Sequence, residues 1–365
     1  MGKPLFALYL LFICINIVSC YYIRGQSFFV SLVGWTNFFF VFYYITFRSW
    51  KQSLVVWENV IEYVYILLLI LFALKNAFLD WDFIVTDLSS ERLEKEMRVR
   101  IFSDAMLELG YLYCLNKFLV FKKANYLILA LLGFLFMFLQ GFRMMIAVGL
   151  IISAIMIIRV YKLTVKRVVL VSLSTIIIVS ASIAIGLQTP IVRERLEELI
   201  ERNEESNFNN EDYIRVVDVN FTYTRFFHNT LEMILGAGRT SVYNLHYSKE
   251  KVEYPSAYSK ERSMLATYNH YYPVDLGFWG LSWESGIPFT IVAILIFLYP
   301  LLYKVPKEYY YANLYGLFMI LIGVTNAQGY YQCNLIYIAI VYTIVEKANK
   351  VFKKKELFQK SISVK

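Results

Sequence analysis

The sequence predicts an all-α polytopic integral membrane protein of about ten transmembrane helices, with a large extracytoplasmic helical loop between helices 7 and 8. Three observations predict this. Hydrophobic residues make up 58% of the 365 residues and charged residues 18%, with a mean hydropathy of +0.51, whereas a soluble domain is about half apolar and about a quarter charged. The apolar residues fall in separate runs, and a helix crosses the hydrocarbon core in about 20 residues. The one long polar interval, 188–286, follows the seventh run and holds all three histidines.

The first run, Leu5–Tyr22, reads as a retained helix. Ile17-Val18-Ser19-Cys20 also resembles a lipoprotein cleavage box, which would remove the run and leave a lipid on Cys20. The further spans are Phe28–Phe47, Leu54–Leu79, Ala105–Phe121, Ala124–Phe142, Met144–Val160, Val168–Leu187, Ile287–Tyr303, Tyr309–Thr325 and Tyr331–Val345. Their order leaves alternate connections on opposite sides. One side holds Lys3, Arg48, Lys51, Lys122, Lys123, Lys162, Lys166, Arg167, Lys304, Lys307 and the tail from Lys347; the short connections of the other hold Arg24 and Arg143. Cytoplasmic connections carry the excess of Lys and Arg, so both termini are expected in the cytoplasm. The net charge of +8 is therefore a topology signal, and no nucleic-acid partner is expected. Tyr21, Tyr22, Tyr271, Tyr272 and Tyr309–Tyr311 stand at run ends, where rings with one wet edge are favoured.

No repeat or linker divides the chain, so 1–365 reads as a single membrane domain. It carries the outer-loop subdomain 188–286, a smaller outer loop 80–104 and a basic cytoplasmic tail 346–365. Within 80–104, Ser89–Arg98 alternates in charge and reads as a surface helix capped by Ser90. Cys14, Cys20, Cys114 and Cys333 all lie in apolar runs, so they form no disulfide framework. With three histidines and no thiolate cluster, neither a metal site nor a cofactor is expected. Glu58, Glu62, Lys75 and Glu108 lie within spans, where an isolated charge costs a few kcal/mol; pairing or snorkelling is the expected solution.

In the outer loop, Val192, Leu196, Leu199 and Ile200 make one apolar face after Pro190, which predicts a helix on the membrane surface carrying Arg193 and Arg195. Helical spacing resumes over Tyr213–Leu235, and there Arg225, His228 or Asn229, and Glu232 would share one stripe. Gly236-Ala237-Gly238 ends this segment. Glycines allow positive φ and could form an amide nest for phosphate oxygens beside Arg225 and Arg239; on spacing alone they serve equally as a helix C-cap. Arg143 stands in the tight outer connection Gln140–Met144, able to grip a lipid-linked phosphate bidentately or to snorkel to headgroups.

Arg225, ten intervening residues and Gly236 in Leu235-Gly236-Ala237-Gly238 resemble the outer-loop pattern of bacterial O-antigen and capsule repeat-unit polymerases of the Wzy type, which are related to O-antigen ligases. Gln140-Gly141-Phe142-Arg143 looks like the arginine these families carry at the outer end of a central helix. Asp275-Leu276-Gly277-Phe278 with Glu284-Ser285-Gly286-Ile287 is similar to their approach to the helix after the loop. His270 is followed by Tyr271, and Gly280 comes one residue early for the ligase spacing, which ranks polymerase ahead of ligase.

The resemblance implies glycosyl transfer outside the cytoplasm, from an undecaprenyl-pyrophosphate-linked oligosaccharide onto the next lipid-linked repeat unit. Membrane lipid, a chain-length regulator and a flippase of the same pathway are the implied partners. The demands are charge neutralisation of the departing pyrophosphate and a base for the attacking hydroxyl. Arg143, Arg225 and Arg239 are the candidates for the first task with Gly236 and Gly238, and Arg193, Arg195 and Arg215 stand behind them. His270, then Asp275 and His228, are candidates for the base. Two other classes remain: a flippase of lipid-linked oligosaccharide, which would line a cavity between related halves, and a glycosyltransferase holding a metal at Asp80 and Asp82.

The topology is testable directly. Reporter fusions after Lys123, Lys166 and Lys307 should report cytoplasm, and fusions near Asn207 and Lys249 the outer side; an inside signal at Asn207 would abolish the outer pocket.

Overall fold

The computed structural model describes residues 3–24, 27–35, 39–77, 104–139, 143–162, 219, 223, 229–236, 238, 277–324 and 334–363. Among them all regular structure is helical. The helices are α1 (Lys3–Arg24), α2 (Phe28–Gly34), α3 (Phe40–Ser49), α4 (Leu54–Ala77), α5 (Asp104–Phe121), α6 (Ala124–Leu139) and α7 (Arg143–Tyr161), then α8 (Thr230–Leu235), α9 (Phe278–Ser285), α10 (Ile287–Leu298), α11 (Tyr310–Gly323) and α12 (Asn334–Ser363). Among the described residues three segments are long and apolar enough to cross a membrane: Pro4–Tyr22, Leu54–Leu74 and Met144–Tyr161. This is the pattern of a membrane protein, because only a helix or a closed barrel satisfies its own backbone in hydrocarbon.

Five expected helices coincide with α1, α4, α5, α6 and α7 to within a few residues. The second does not: Phe28–Phe47 is expected as one helix, but α2 stops at Gly34 and α3 starts at Phe40. Glycine, threonine and asparagine follow one another closely at 34, 36 and 37 and are weak helix formers. Trp35 gains from the break, since its ring is fully buried edge-on to Phe289, 5.3 Å between centroids. At the other end of the chain the expected span Ile287–Tyr303 becomes α10 followed by a 3-10 turn, Tyr299–Leu302, where Pro300 cannot donate a helical hydrogen bond. The last helix, α12, runs on through the basic tail; its 30 residues extend about 45 Å, against about 30 Å of hydrocarbon.

The charged contacts define one end of the bundle. Arg48 Nε lies 2.9 Å from Glu346 Oε2, Lys347 Nζ donates to Trp50 O and Gln52 O, and Asn349 Nδ2 donates to Lys304 O. Phe6 of α1 packs against Tyr44, Tyr299 and Tyr342. The starts of α1 and α4 and the ends of α3, α5 and α7 meet here, so the first described residue and the last helix belong to the same basic end. The opposite, loop end gathers the end of α1, α8, α9 and the end of α11.

At the centre stands α5, buried on every side from Ala105 to Cys114 and packed by α4, α6, α7 and α11. Tyr65 of α4 is wedged between α5 and α6: its ring lies on Gly110, its hydroxyl fills the place of a side chain at Gly133 and donates to Leu129 O at 3.0 Å. Toward the basic end, Lys117 Nζ of α5 donates to Glu58 Oε1 of α4 at 2.5 Å, both side chains being buried. Tyr311 OH donates to the same carboxylate oxygen, and the rings of Tyr113, Phe121 and Tyr309 each stand 5.4 Å from the ammonium. One turn along, Glu62 accepts from Tyr113 OH at 2.8 Å and Tyr126 OH at 3.4 Å. The pairing expected of Glu58 is thus met, with Lys117 as the cation that the sequence reading left unconsidered, while Glu62 is held by two phenol hydroxyls. Its signal was depth: Glu58 lies four residues from the basic end of α4 and Lys117 four from the basic end of α5.

Removing one member of this pair strands the other. Lys117→Met should destabilise the protein by about 3–5 kcal/mol, and Lys117→Met with Glu58→Leu should recover most of the loss. Denaturation of the purified protein in detergent measures both; a single variant as stable as the double would refute the pair's role.

Candidate functional site

The loop end is built on glycines. The four described glycines with positive φ, Gly236 (75°), Gly238 (84°), Gly277 (58°) and Gly286 (84°), all lie there. Gly236 closes α8, its N–H donating to Glu232 O at 2.7 Å, and Gly286 closes α9 in the same way on Ser282 O at 2.9 Å. The two closures cross. A Cβ on Gly236 would overlap the Glu284 carbonyl and the Gly286 amide, and a Cβ on Gly286 would overlap the Ile234 carbonyl. Gly238 N–H then donates to Glu284 O at 2.8 Å, while its Cα lies where a side chain would collide with Cys20 Sγ. Gly277 abuts the Gly323 carbonyl and Val324, fixing the start of α9 to the end of α11.

The first helix reaches into this crossing. Asn16 Nδ2 donates to Leu235 O at 2.6 Å and to Glu284 O at 3.4 Å, and the residue is 1% exposed. On the far side of α9, Tyr223 and Ser282 are 2.5 Å apart, with the Tyr223 ring edge-on to Trp279. Ser282 Oγ gives its single proton to Trp279 O at 2.8 Å, so the phenol is the donor to Ser282. Burial pushes the Tyr223 phenol up and the bond to Ser282 partly offsets this; the group is a neutral donor at neutral pH.

One expectation is corrected, and of a pair of alternatives the structure shows one. The segment Tyr213–Leu235 is not one helix up to Leu235: Asn229 is extended (φ −153°, ψ 165°), its side chain accepts from Glu232 N–H at 2.9 Å, and α8 starts only at Thr230. Asparagine satisfies an orphan amide better as an N-cap than it continues a helix. Arg225 and His228 therefore precede the cap and do not share a helical stripe with Glu232. The glycines, expected either as an amide nest or as a C-cap, form the C-cap and a close backbone approach. Both Gly236 and Gly238 amides are already bonded to carbonyls, so neither N–H is open to an anion in this structure.

Of the other sequence-derived site residues, Arg143 is the first residue of α7. Arg193, Arg195, Arg215, Arg225, Arg239, His228, His270 and Asp275 lie outside the described residues, as do 80–103 with Asp80 and Asp82, the run Val168–Leu187 and most of 188–276. Among the described residues no three His, Cys, Asp or Glu side chains gather as a metal site. Cys20 is buried within an unbroken α1, so its sulfur is not presented for acylation. Asn16 is the residue that sequence reasoning missed. Its signal was an amide side chain within an apolar run, which is costly unless it is bonded; its Nδ2 makes both bonds, and its Oδ1 has no partner among the described residues. No family model matches the chain, and no curated protein matches it.

Gly286→Ala tests the crossing. Alanine there meets the Ile234 carbonyl in a backbone conformation that itself costs about 1–3 kcal/mol. The expected outcome is a lowered thermal midpoint and faster alkylation of Cys20, separated from Cys14 by peptide mass; unchanged protection of Cys20 would show that the crossing is not what covers it.

Proposed function

We propose that the chain is a glycosyltransferase that polymerises undecaprenyl-pyrophosphate-linked oligosaccharide repeat units into surface polysaccharide, O-antigen or capsule, at the outer face of a bacterial cytoplasmic membrane. One observation carries the reading. The two stretches that resemble the polymerase pattern, Leu235-Gly236-Ala237-Gly238 and Glu284-Ser285-Gly286-Ile287, are far apart in sequence and meet backbone to backbone at Gly236 and Gly286. Arg225 lies shortly before this junction and Arg239 directly follows it. Arg143 begins α7, at the positive end of that helix's dipole, where an anion is doubly favoured.

In the proposed reaction a hydroxyl oxygen of the acceptor unit bonds to the anomeric carbon of the growing glycan, and the bond from that carbon to the pyrophosphate oxygen breaks. Arg143, Arg225 and Arg239 neutralise the departing pyrophosphate, with Arg193, Arg195 and Arg215 drawing it in. The acceptor's proton passes to a base, with His270 ranked first, Asp275 second and His228 third. The corrected helix start at Thr230 removes the carboxylate partner that a shared stripe would have given His228, and this supports the order.

The finer topology belongs to the same proposal. Described helices alternate between the basic and loop ends; α7 ends at the basic end and α8 stands at the loop end, which supports Val168–Leu187 as the seventh crossing. The basic end, carrying both termini, is then cytoplasmic. A chain-length regulator and a flippase act beside the enzyme.

Arg225 separates polymerase from transporter. Arg225→Ala should lower the polymerisation rate by about 10²–10³, the scale seen on removing one preorganised charge-stabilising donor, and Arg225→Lys should restore only part of it, since the ammonium lacks the planar fork. The measurement is the size profile of surface glycan at matched protein levels. A ladder collapsed to one unit is the expected outcome; no surface glycan at all would favour a flippase or ligase, and an unchanged ladder would refute a role for Arg225.

A further inference from the structure

The first helix has a role that no part of the polymerase resemblance touches. Asn16 stands in an otherwise apolar stretch of α1, and burying its carboxamide costs several kcal/mol unless the bonds are made. Its donors do not cross to a side chain of a neighbouring helix. They go to two main-chain carbonyls, Leu235 O at 2.6 Å and Glu284 O at 3.4 Å, the last of α8 and the next-to-last of α9. The final carbonyls of any helix lack intrahelical partners, so one side chain caps two helix ends from outside both.

Its neighbours determine where α8 sits. It has six residues, none of them buried, and a helix so short has no stability of its own. Its position follows from its packing on α10, from the Gly236–Gly286 crossing, from Gly238 donating to Glu284 O, and from α1, where Asn16 bonds Leu235 O and Cys20 lies against Gly238. Asn16 and Cys20 are four apart and so share one face of α1. The first helix therefore holds the turn at both Leu235 and Gly238. The chain preceding α8 carries Arg225, and the chain leaving Gly238 carries Arg239.

We infer that Asn16 is a positioning residue for the glycosyl-transfer site: through its two hydrogen bonds, α1 sets the place of the α8–Gly238 turn, next to which the sequence carries the two arginines. The inference rests on the polymerase reading for what the site does, while the tether is independent of it. Asn16 acts through main-chain carbonyls and touches no substrate. The first helix is then a working member of the site, and processing before Cys20 would destroy it by removing Asn16.

The test uses the full-length protein in lipid nanodiscs and two substitutions, Asn16→Leu and Asn16→Asp; the second keeps the volume, removes the donor and serves where the first does not fold. One arm reads geometry: the rate of Cys20 alkylation, resolved from Cys14 by peptide mass, is compared between the unsubstituted protein and each variant, because Gly238 covers the Cys20 sulfur. The other arm reads function, as kcat and KM for lipid-linked repeat units. The expected result is Cys20 alkylation several-fold faster, together with kcat lowered about tenfold or more, the scale of a lost hydrogen bond that leaves the Leu235 carbonyl without its donor, and KM changed less than twofold. Unchanged alkylation of Cys20 overturns the tether. Faster alkylation with kcat intact overturns the positioning role, and equal changes in kcat and protein stability with KM raised in step reduce Asn16 to a general stability residue. If the unsubstituted protein polymerises nothing, the polymerase reading fails, and the alkylation arm still decides whether Asn16 holds the turn.

Discussion

Hydrocarbon offers no hydrogen bonds, and this constraint governs nearly every polar contact described above. A backbone crossing a bilayer must satisfy itself, which leaves helices as the solution here. The side chains obey the same rule at greater cost. Lys117 is tolerable in α5 because Glu58, in α4, lies at the same depth, and because aromatic faces take the place of water around the ammonium. Asn16 is tolerable because carbonyls at two helix ends, Leu235 O and Glu284 O, come within reach of its amide. In both cases the polar group is bound to a particular neighbour, so each also specifies which helices pack together.

The two ends of the bundle meet this constraint by different means. At the basic end long side chains do the joining: Arg48 to Glu346, Lys347 to the carbonyls between α3 and α4, Asn349 to the connection before α11. At the loop end main chain meets main chain, with glycines letting the strands of backbone touch and one carboxamide closing the gap. Side-chain joints tolerate small displacements because their rotamers adjust. A glycine crossing does not, since carbonyl and amide positions are fixed by the helices that carry them. Rigidity of this kind suits the end of the molecule where a substrate would have to be aligned.

The all-helical class and the ends of α1, α4, α5, α6 and α7 were legible in the sequence because each helix coincides with an apolar run bounded by charges or turn residues. The break at Trp35 was not, because the gain from burying that indole on Phe289 depends on a helix 254 residues further on, by the numbering of the two rings. The Asn229 cap escaped for a local reason: Asn is compatible with helical spacing, and only the actual backbone reveals that its side chain has replaced a helical bond. Gly236 and Gly238 were singled out correctly as special positions, but the choice between nest and cap needed the location of Glu284. Lys117 was readable by depth-matching neighbouring antiparallel helices, whereas Asn16 was readable only as an unexplained cost.

Tyr65 sets a limit on how the molecule can move. With its ring on Gly110 and its hydroxyl occupying the place of a side chain at Gly133, it acts as a pin through α4, α5 and α6. Sliding of α5 past α6 would require that pin to be withdrawn against full burial, so these three helices behave as a stator.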